Sequence, residues 1–299
     1  MATSVTKSGL VAAADKVILA AQPILEQLSL FTTDFALDAA KPGSGVAVEI
    51  LSATAGDFGE NNGYTKSTNK IAPITVTLNQ HKKSTFTISD VDALENDLAP
   101  VWANIAPVAG RAIANALVAK VMNGFTSPDA AGKFTSACET LADFASIQAQ
   151  AVKAGLDPAD CTLVLNPEPY SKLLACLPVS VLGDNEAVRR GVVGAFLGFK
   201  AVIQSPNLVE FASDKGIVVP TGNVAIASRV VYPVREGGNL IEFGTIQDEK
   251  TGFTLGQRVV VDADQGTCSW TVDSLCGFHI GGIADKDNGM PRFYSVVAA

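Results

Sequence analysis

The chain is poor in charge, in histidine and in paired cysteine. Charged residues make up 17% of its 299 residues, against roughly 25% in an average soluble domain. The shortfall leaves apolar surface for partners, so an obligate oligomer is expected. The only histidines are His81 and His279. No His-Glu-x-x-His is present and no Cys/His set has zinc spacing, which excludes the common zinc sites. The five cysteines, at 138, 161, 176, 268 and 276, are odd in number and form no Cys-x-x-Cys pair. Cys268 and Cys276 stand in one strand-like run and would lie roughly 26 Å apart if it is unbroken, far beyond disulfide reach. Free, mostly buried thiols in a protein made in a reducing cytosol are expected. A basic stripe is also lacking. The net charge is -8, and the densest cations are His81-Lys82-Lys83 and Arg189-Arg190, which argues against binding through phosphates. No run approaches the 18 or so apolar residues of a membrane span. Asp15 and Lys16 interrupt the apolar start, so Met1 to Gln22 does not read as a signal peptide.

What is present is a core. At 47% hydrophobic the chain cannot stay solvated and disordered, and its length allows one large or two ordinary domains. Ser8 to Leu30 carries Leu10, Val11, Ala14, Val17, Ile18 and Leu25 at helical spacing, divided by Pro23. The breaker cluster from Ala39 to Gly45 then sets this helix apart as an arm. Val46, Val48 and Ile50 alternate as a strand. A Gly- and Asn-rich loop from Gly56 to Asn69 follows, with Asn62-Gly63 as a turn signal.

Ile74 to Ile88 is a long period-2 stretch. As one strand it would span roughly 50 Å, about the diameter of a globule of this chain length. A hairpin that long protrudes. The polar middle of its apolar face (Gln80, Lys82, Ser84) reads as a stretch leaving the core, with a bulge or break as the alternative. From Asp97 to Phe125 runs the strongest helix, with Val101, Ile105, Val108, Ala112, Leu117 and Val121 in its stripe and Pro107 as a kink or first-turn residue. A second helix is expected behind the capping box Ser136-x-x-Glu139, ending at Gly155 and Pro158. Beyond it the chain is β-rich: Cys161–Leu165, 200–204, 216–219, 239–245, 258–261 and 268–280 read as strands, 169–174 as a helical turn, and 223–231 is ambiguous. The order fits α+β rather than a βαβ repeat.

The search for chemistry returns turns and packing. No Gly-x-Ser-x-Gly elbow supports a nucleophile beside either histidine, and both read as strand residues, His81 solvated and His279 packed. Asp262-Ala-Asp264-Gln-Gly266 lacks the later ligands and bidentate Glu of a calcium loop, so it reads as a hairpin turn. Asp285-Lys-Asp287-Asn-Gly289 reads the same way, and Asp90, of the pair Asp90/Asp92, as a cap for a short helical piece at 91–95. The glycines of 191–198 match neither dinucleotide nor P-loop spacing, and Lys133 is followed by Phe134. No catalytic, cofactor-binding or metal residue is therefore assigned, and no cofactor is expected.

Three passages carry a resemblance. The first is a buried strand running into Asn-Pro and a Tyr-containing turn, Leu163 to Tyr170. The second is the glycine-flanked Gly194-x-x-x-Gly198-Phe199-x-x-Val202 followed by Ser205 to Leu208. The third is Glu242 to Arg258, then an Asp-x-x-x-Gly turn and a closing strand ending at Cys276-Gly277-Phe278. Together, and in the upstream order of arm, long hairpin, long helix and second helix, the sequence resembles the tailed-phage major capsid proteins with the HK97-type fold.

The resemblance implies an extended β-hairpin loop at 45–90 that lies across a neighbouring subunit and an N-terminal arm at 1–44 that clasps another. It implies a peripheral domain with a long spine helix at 91–159 and 236–272, and an axial domain at 160–235 and 273–299. It implies a non-enzymatic virion component assembled in the host cytoplasm from hexamers and pentamers of itself. Scaffolding and portal proteins would be partners, and packaged DNA would be enclosed without sequence-specific contact and without a membrane. An encapsulin-like cellular compartment shares the fold. A cytosolic hydrolase using Cys or Ser with His279 is the reading from another class, and a monomeric binding module conflicts with the long hairpin.

Overall fold

Two six-stranded sheets share one main hydrophobic core in the computed structural model, which describes residues 7–36, 45–52, 70–89, 98–177, 192–233, 240–248, 251–282 and 290–299. The helices are α1 (Lys7–Ser29), α2 (Leu98–Met122), α3 (Leu141–Lys153) and α4 (Pro167–Cys176). The first sheet uses β1 (Thr32–Ala36), β4 (Gln80–Ser89), β10 (Val224–Arg229), β11 (Leu240–Gln247), β12 (Thr254–Asp262) and β13 (Thr267–Ile280). Its order is β1-β10-β13-β12-β11, with β4 paired to β13. The second sheet uses β5 (Lys133–Thr135), β6 (Cys161–Leu165), β7 (Val192–Val193), β8 (Ala201–Gln204), β9 (Gly216–Pro220) and β14 (Tyr294–Val297), in the order β5-β14-β9-β6-β8-β7. A separate antiparallel ribbon joins β2 (Gly45–Ser52) to β3 (Lys70–Thr77). The expected Asp90/Asp92, Asn62-Gly63, Arg189-Arg190 and Asp285/Asp287 features lie outside the described residues.

The arm is not unpartnered. Helix α1 buries Ala13, Val17, Ala21, Leu25 and Leu28 in the main core beside Ala106, Ala109, Ile113 and Leu117 of α2. Small residues let the two backbones come close: a Cβ on Gly110 would sit 2.4 Å from the Val17 carbonyl oxygen. Strand β1 then pairs in parallel with β10. Pro23 was expected to divide the helix, yet α1 runs through it. Pro23 leaves the Leu19 carbonyl without its helical donor, at a residue that is 68% exposed, on the side of the helix open to solvent. Pro107 is likewise accommodated inside a continuous α2.

Helix α2 corrects another expectation. By length and composition Asn104–Met122 is apolar enough to cross a membrane, but half of that stretch is buried inside the protein. Its hydrophobicity serves the contact with α1 and the inner face of the first sheet, where Trp270, Val259 and Val272 are fully buried.

The second sheet is covered on both faces, which accounts for the uninterrupted apolar runs of β6 and β9. On one face Leu163, Leu165, Val202 and Val218 pack with Phe144 and Ile147 of α3 and Tyr170 and Leu173 of α4. On the other, Val164, Ile203, Ile217 and Val219 join the main core. Phe293 bridges there, edge-on to Phe125 at 5.0 Å and to Phe211 at 6.0 Å. Helix α3, which the resemblance groups with the spine helix, packs on the second sheet. Its N-terminus is capped by Thr140 and Asp143 rather than by Ser136 and Glu139. Hydrogen bonds from the Thr140 and Glu139 backbone N–H groups hold the Asp143 carboxyl below its ordinary value. Its C-terminus closes on Gly155 (φ +81°), with Leu156 N–H donating to Ala151 O at 3.0 Å.

Candidate functional site

The stretch read as one strand from Ile74 to Ile88 is broken at Leu78-Asn79. Its two halves do different things. From Gln80 on, β4 joins the first sheet, pairing with β13 from Gln80↔Cys276 to Ser89↔Thr267. Its polar middle is therefore not a segment leaving the core but a strand lying on it. Before the break, β3 belongs to the β2–β3 ribbon, and its end lies across the outer face of the first sheet. There Ile74, Val76 and Leu78 are buried with Ala225, Ala227, Leu275 and Met290.

A glycine makes the crossing possible. A Cβ on Gly277 would stand 2.1 Å from the Thr77 carbonyl oxygen and 2.7 Å from its carbon, so any side chain there would push the root of the ribbon off the sheet. Beside the crossing lies Asp273, 2% exposed. It accepts hydrogen bonds from Arg258 Nη2 and, at 3.0 Å, from His81 Nε2. Arg258 also donates to the Val231 carbonyl. The network joins β4, β12 and β13 where the chain leaves the sheet, so the root is fixed by apolar burial on one side and by a buried charge on the other. Sequence reading gave His81 as a solvated strand residue. It is 46% exposed but bonded to Asp273, a partner 192 residues away that no local signal could reveal.

The remaining outer face is flat and hydroxylated. Thr85 meets Thr271 at 3.0 Å and Thr87 meets Ser269 at 2.9 Å, with Thr85 and Thr87 exposed and their partners half-buried. On the inner face of the same strands Phe86 stacks on Trp270, centroids 6.4 Å apart.

The other sequence candidates are structural. Asp262 Oδ1 accepts from the N–H groups of Asp264 and Gln265 and closes the β12–β13 turn, with Gly266 at φ +59°. Asn166 donates to the Phe211 and Asp214 carbonyls at 2.7 Å, tying β6 to the 209–215 loop. Gly198 (φ +78°) turns the chain against Gln148. All five cysteines are free thiols. Burial pushes Cys161 up to about 11 and Cys276 up to about 12, the opposite of what a nucleophile needs. Among the described residues no group of three or more His, Cys, Asp and Glu could hold a metal ion.

No protein-family model matches the chain, and no curated protein does. Solved structures do. The chain is similar to the capsid structure of the cyanophage P-SCSP1u, with 14% identity and a TM-score of 0.54 over 91% of this chain and 88% of that one. It is similar to a chain of Microbacterium phage Oxtober96, with 10% identity and a TM-score of 0.52 over 91% and 90%. At these identities it is the fold that is shared: this is an α+β chain with the fold of a phage capsid subunit.

Proposed function

We propose that this chain is the major capsid protein of a tailed phage, with the HK97-type subunit design. Copies of it, as hexamers and pentamers, build the icosahedral shell around a double-stranded DNA genome. One observation carries the reading: the ribbon β2–β3 forms its own two-stranded sheet, while its root is locked onto the body by Ile74, Val76, Leu78 and the Gly277 crossing. An isolated two-stranded ribbon is marginal in water, so a rigidly aimed one is suited to a second chain. The shared fold with a capsid structure over nearly the whole length supports the same conclusion. The role is structural rather than enzymatic, and the protein belongs in the virion.

The division into parts follows the packing. Residues 45–90 are the extended loop, with β4 as its return onto the body. The first sheet with α2 is the peripheral part. The second sheet with α3 and α4 packed on it is read as the axial part. The arm at 1–44 docks through α1 on its own α2. Contacts between copies are heterologous and close into a shell, with interfaces of several thousand Å² per subunit. Scaffolding and portal proteins are the expected further partners, and assembly takes place in the host cytoplasm.

The test is expression of the chain, alone and with its phage's scaffolding protein, followed by negative-stain electron microscopy. Closed shells of uniform diameter are expected. A chain that stays a monodisperse monomer at high concentration in both cases would overturn the proposal. Replacing 53–69 by a short Gly-Ser linker should leave a folded subunit that no longer assembles.

A further inference from the structure

The register around Asp273 gathers more cations than that carboxylate can neutralise. Residues directly opposite one another in antiparallel pairs share a face. Leu275 faces Arg229 on β10 and His81 on β4, and Asp273 faces Gly256 on β12 and Lys83 on β4. Inner positions of the same strands are occupied by the core residues Ile226, Phe86, Val259 and Val272, so Arg229, His81, Lys83 and Arg258 all stand on the outer face around Asp273. Among the described residues of rows 81–85, 229, 256–258 and 271–275, Asp273 is the only carboxylate. Arg258 and His81 are bonded to it, whereas Lys83 is exposed. Nε and Nη1 of Arg229 and Nε of Arg258 are buried without an acceptor among the described residues. Buried guanidinium nitrogens without an acceptor are costly, both arginines keep part of their surface open, and the chain as a whole carries a net charge of -8.

We propose that this cation cluster, Lys83, Arg229 and Arg258 at the root of the ribbon, is a docking site for a carboxylate-bearing segment of a second copy of the chain. The inference rests on the shell reading and names a surface for it. Charge complementarity selects the occupant: with this patch set apart, the rest of the molecule is more acidic still, so a second copy meets the patch with an excess of carboxylates. The contact is heterologous, cations of one copy against acids of another, as a closed shell requires. It also sits beside the Gly277 crossing, so the docked acid would stiffen the direction in which the ribbon leaves the body.

The experiment compares wild type, Lys83→Glu, Lys83→Gln and Arg229→Glu by sedimentation velocity, with circular dichroism as the folding control. Lys83→Gln, neutral and at an exposed position, is expected to keep the wild-type melting temperature even should Arg229→Glu fail to fold, whereas Lys83→Glu faces Asp273 across the strands and is compared only where circular dichroism shows it folded. The expected result is self-association weakened by at least ~10-fold in Lys83→Glu, less in Lys83→Gln, and weakened in wild type by raising salt. Unchanged self-association in folded Lys83→Glu would overturn the docking site while leaving the shell reading intact. A wild type that does not associate either alone or with its scaffolding protein would overturn both. Binding of a DNA duplex by wild type, abolished in Lys83→Glu with self-association unchanged, would reassign the patch to phosphate.

Discussion

The two sheets of this molecule are finished to different degrees. The second has α3 and α4 on one face and the main core on the other, and β6 is buried at every position. The first has α1 and α2 on its inner face only, and its outer face is divided between the ribbon root and an open field of Thr, Ser and cationic side chains. A sheet buried on both faces has satisfied its apolar surface within one chain. A sheet with one polar face and a ribbon that pairs only with itself leaves surface uncovered by its own chain. The division of labour is thus written into residue type: apolar runs where the chain closes on itself, period-2 alternation with hydroxyl and charged partners where it stays open.

Removing a core residue tests the closed side with the largest effect. Trp270→Ala, from the fully buried inner face of the first sheet, should cost about 3–5 kcal/mol in urea denaturation. A cost below about 1 kcal/mol would mean that the inner face is not the packed layer described. The next test addresses the boundary between the two regions. Gly277→Ala places a methyl against the Thr77 carbonyl and should cost about 1–3 kcal/mol, accompanied by faster proteolysis within 45–78. Gly110→Ala is a useful contrast. Alanine is the better helix former by up to about 1 kcal/mol, but the clash with the Val17 carbonyl outweighs it, and net destabilisation is expected with no change in ribbon proteolysis.

Alkaline pH separates buried from accessible thiols. Burial raises Cys161 to about 11 and Cys276 to about 12 from 9.0. Between about 9 and those values the unfolded chain has released protons that the folded chain still holds, so stability must fall as pH rises through this window. Denaturation midpoints measured from pH 8 to 10.5 should decline, and the decline should lessen in the Cys161→Ala, Cys276→Ala double variant relative to its own midpoint at pH 8. A smaller local effect is expected at the cap of α3. Thr140→Ala removes the hydroxyl that accepts from Asp143 N–H and should cost about 1 kcal/mol, while Glu139→Ala, at an exposed side chain paired only with the surface Lys172, would be the costly change had the sequence pattern been right.

Much of this was legible in the residues, and the failures are instructive. Strands with strong alternation or an unbroken apolar run (45–52, 161–165, 267–280) were found because their period is set by burial. The short strands β1, β5 and β14 were missed, since three to five residues carry no period and their pairing is decided by partners far along the chain. The break at Leu78-Asn79 was only an alternative in the sequence. What decides it is Gly277, 199 positions away, whose missing side chain lets the backbone cross. The packing of α1 on α2 was not legible for the same reason: the groove that accepts α1 depends on Gly110 and the alanines of α2, and small residues read as indifferent in a linear pattern. Asp273 with His81 and Arg258, the most informative polar cluster, joins three strands that no motif connects.

The smallest predicted effect bears most directly on the open face. Thr85 is exposed and its hydroxyl pairs with Thr271 across the strands at 3.0 Å. In the isolated subunit water can replace that bond on both sides, and a surface substitution of this kind stays within about 0.5 kcal/mol. Thr85→Ala should therefore leave the urea midpoint of the free subunit nearly unchanged. The cross-strand pair is worth at most about 1 kcal/mol even in favourable settings. A cost well above that would show the hydroxyl to be desolvated within the single chain, and the contrast between a closed second sheet and an open first one would fail at the residue where it is easiest to measure.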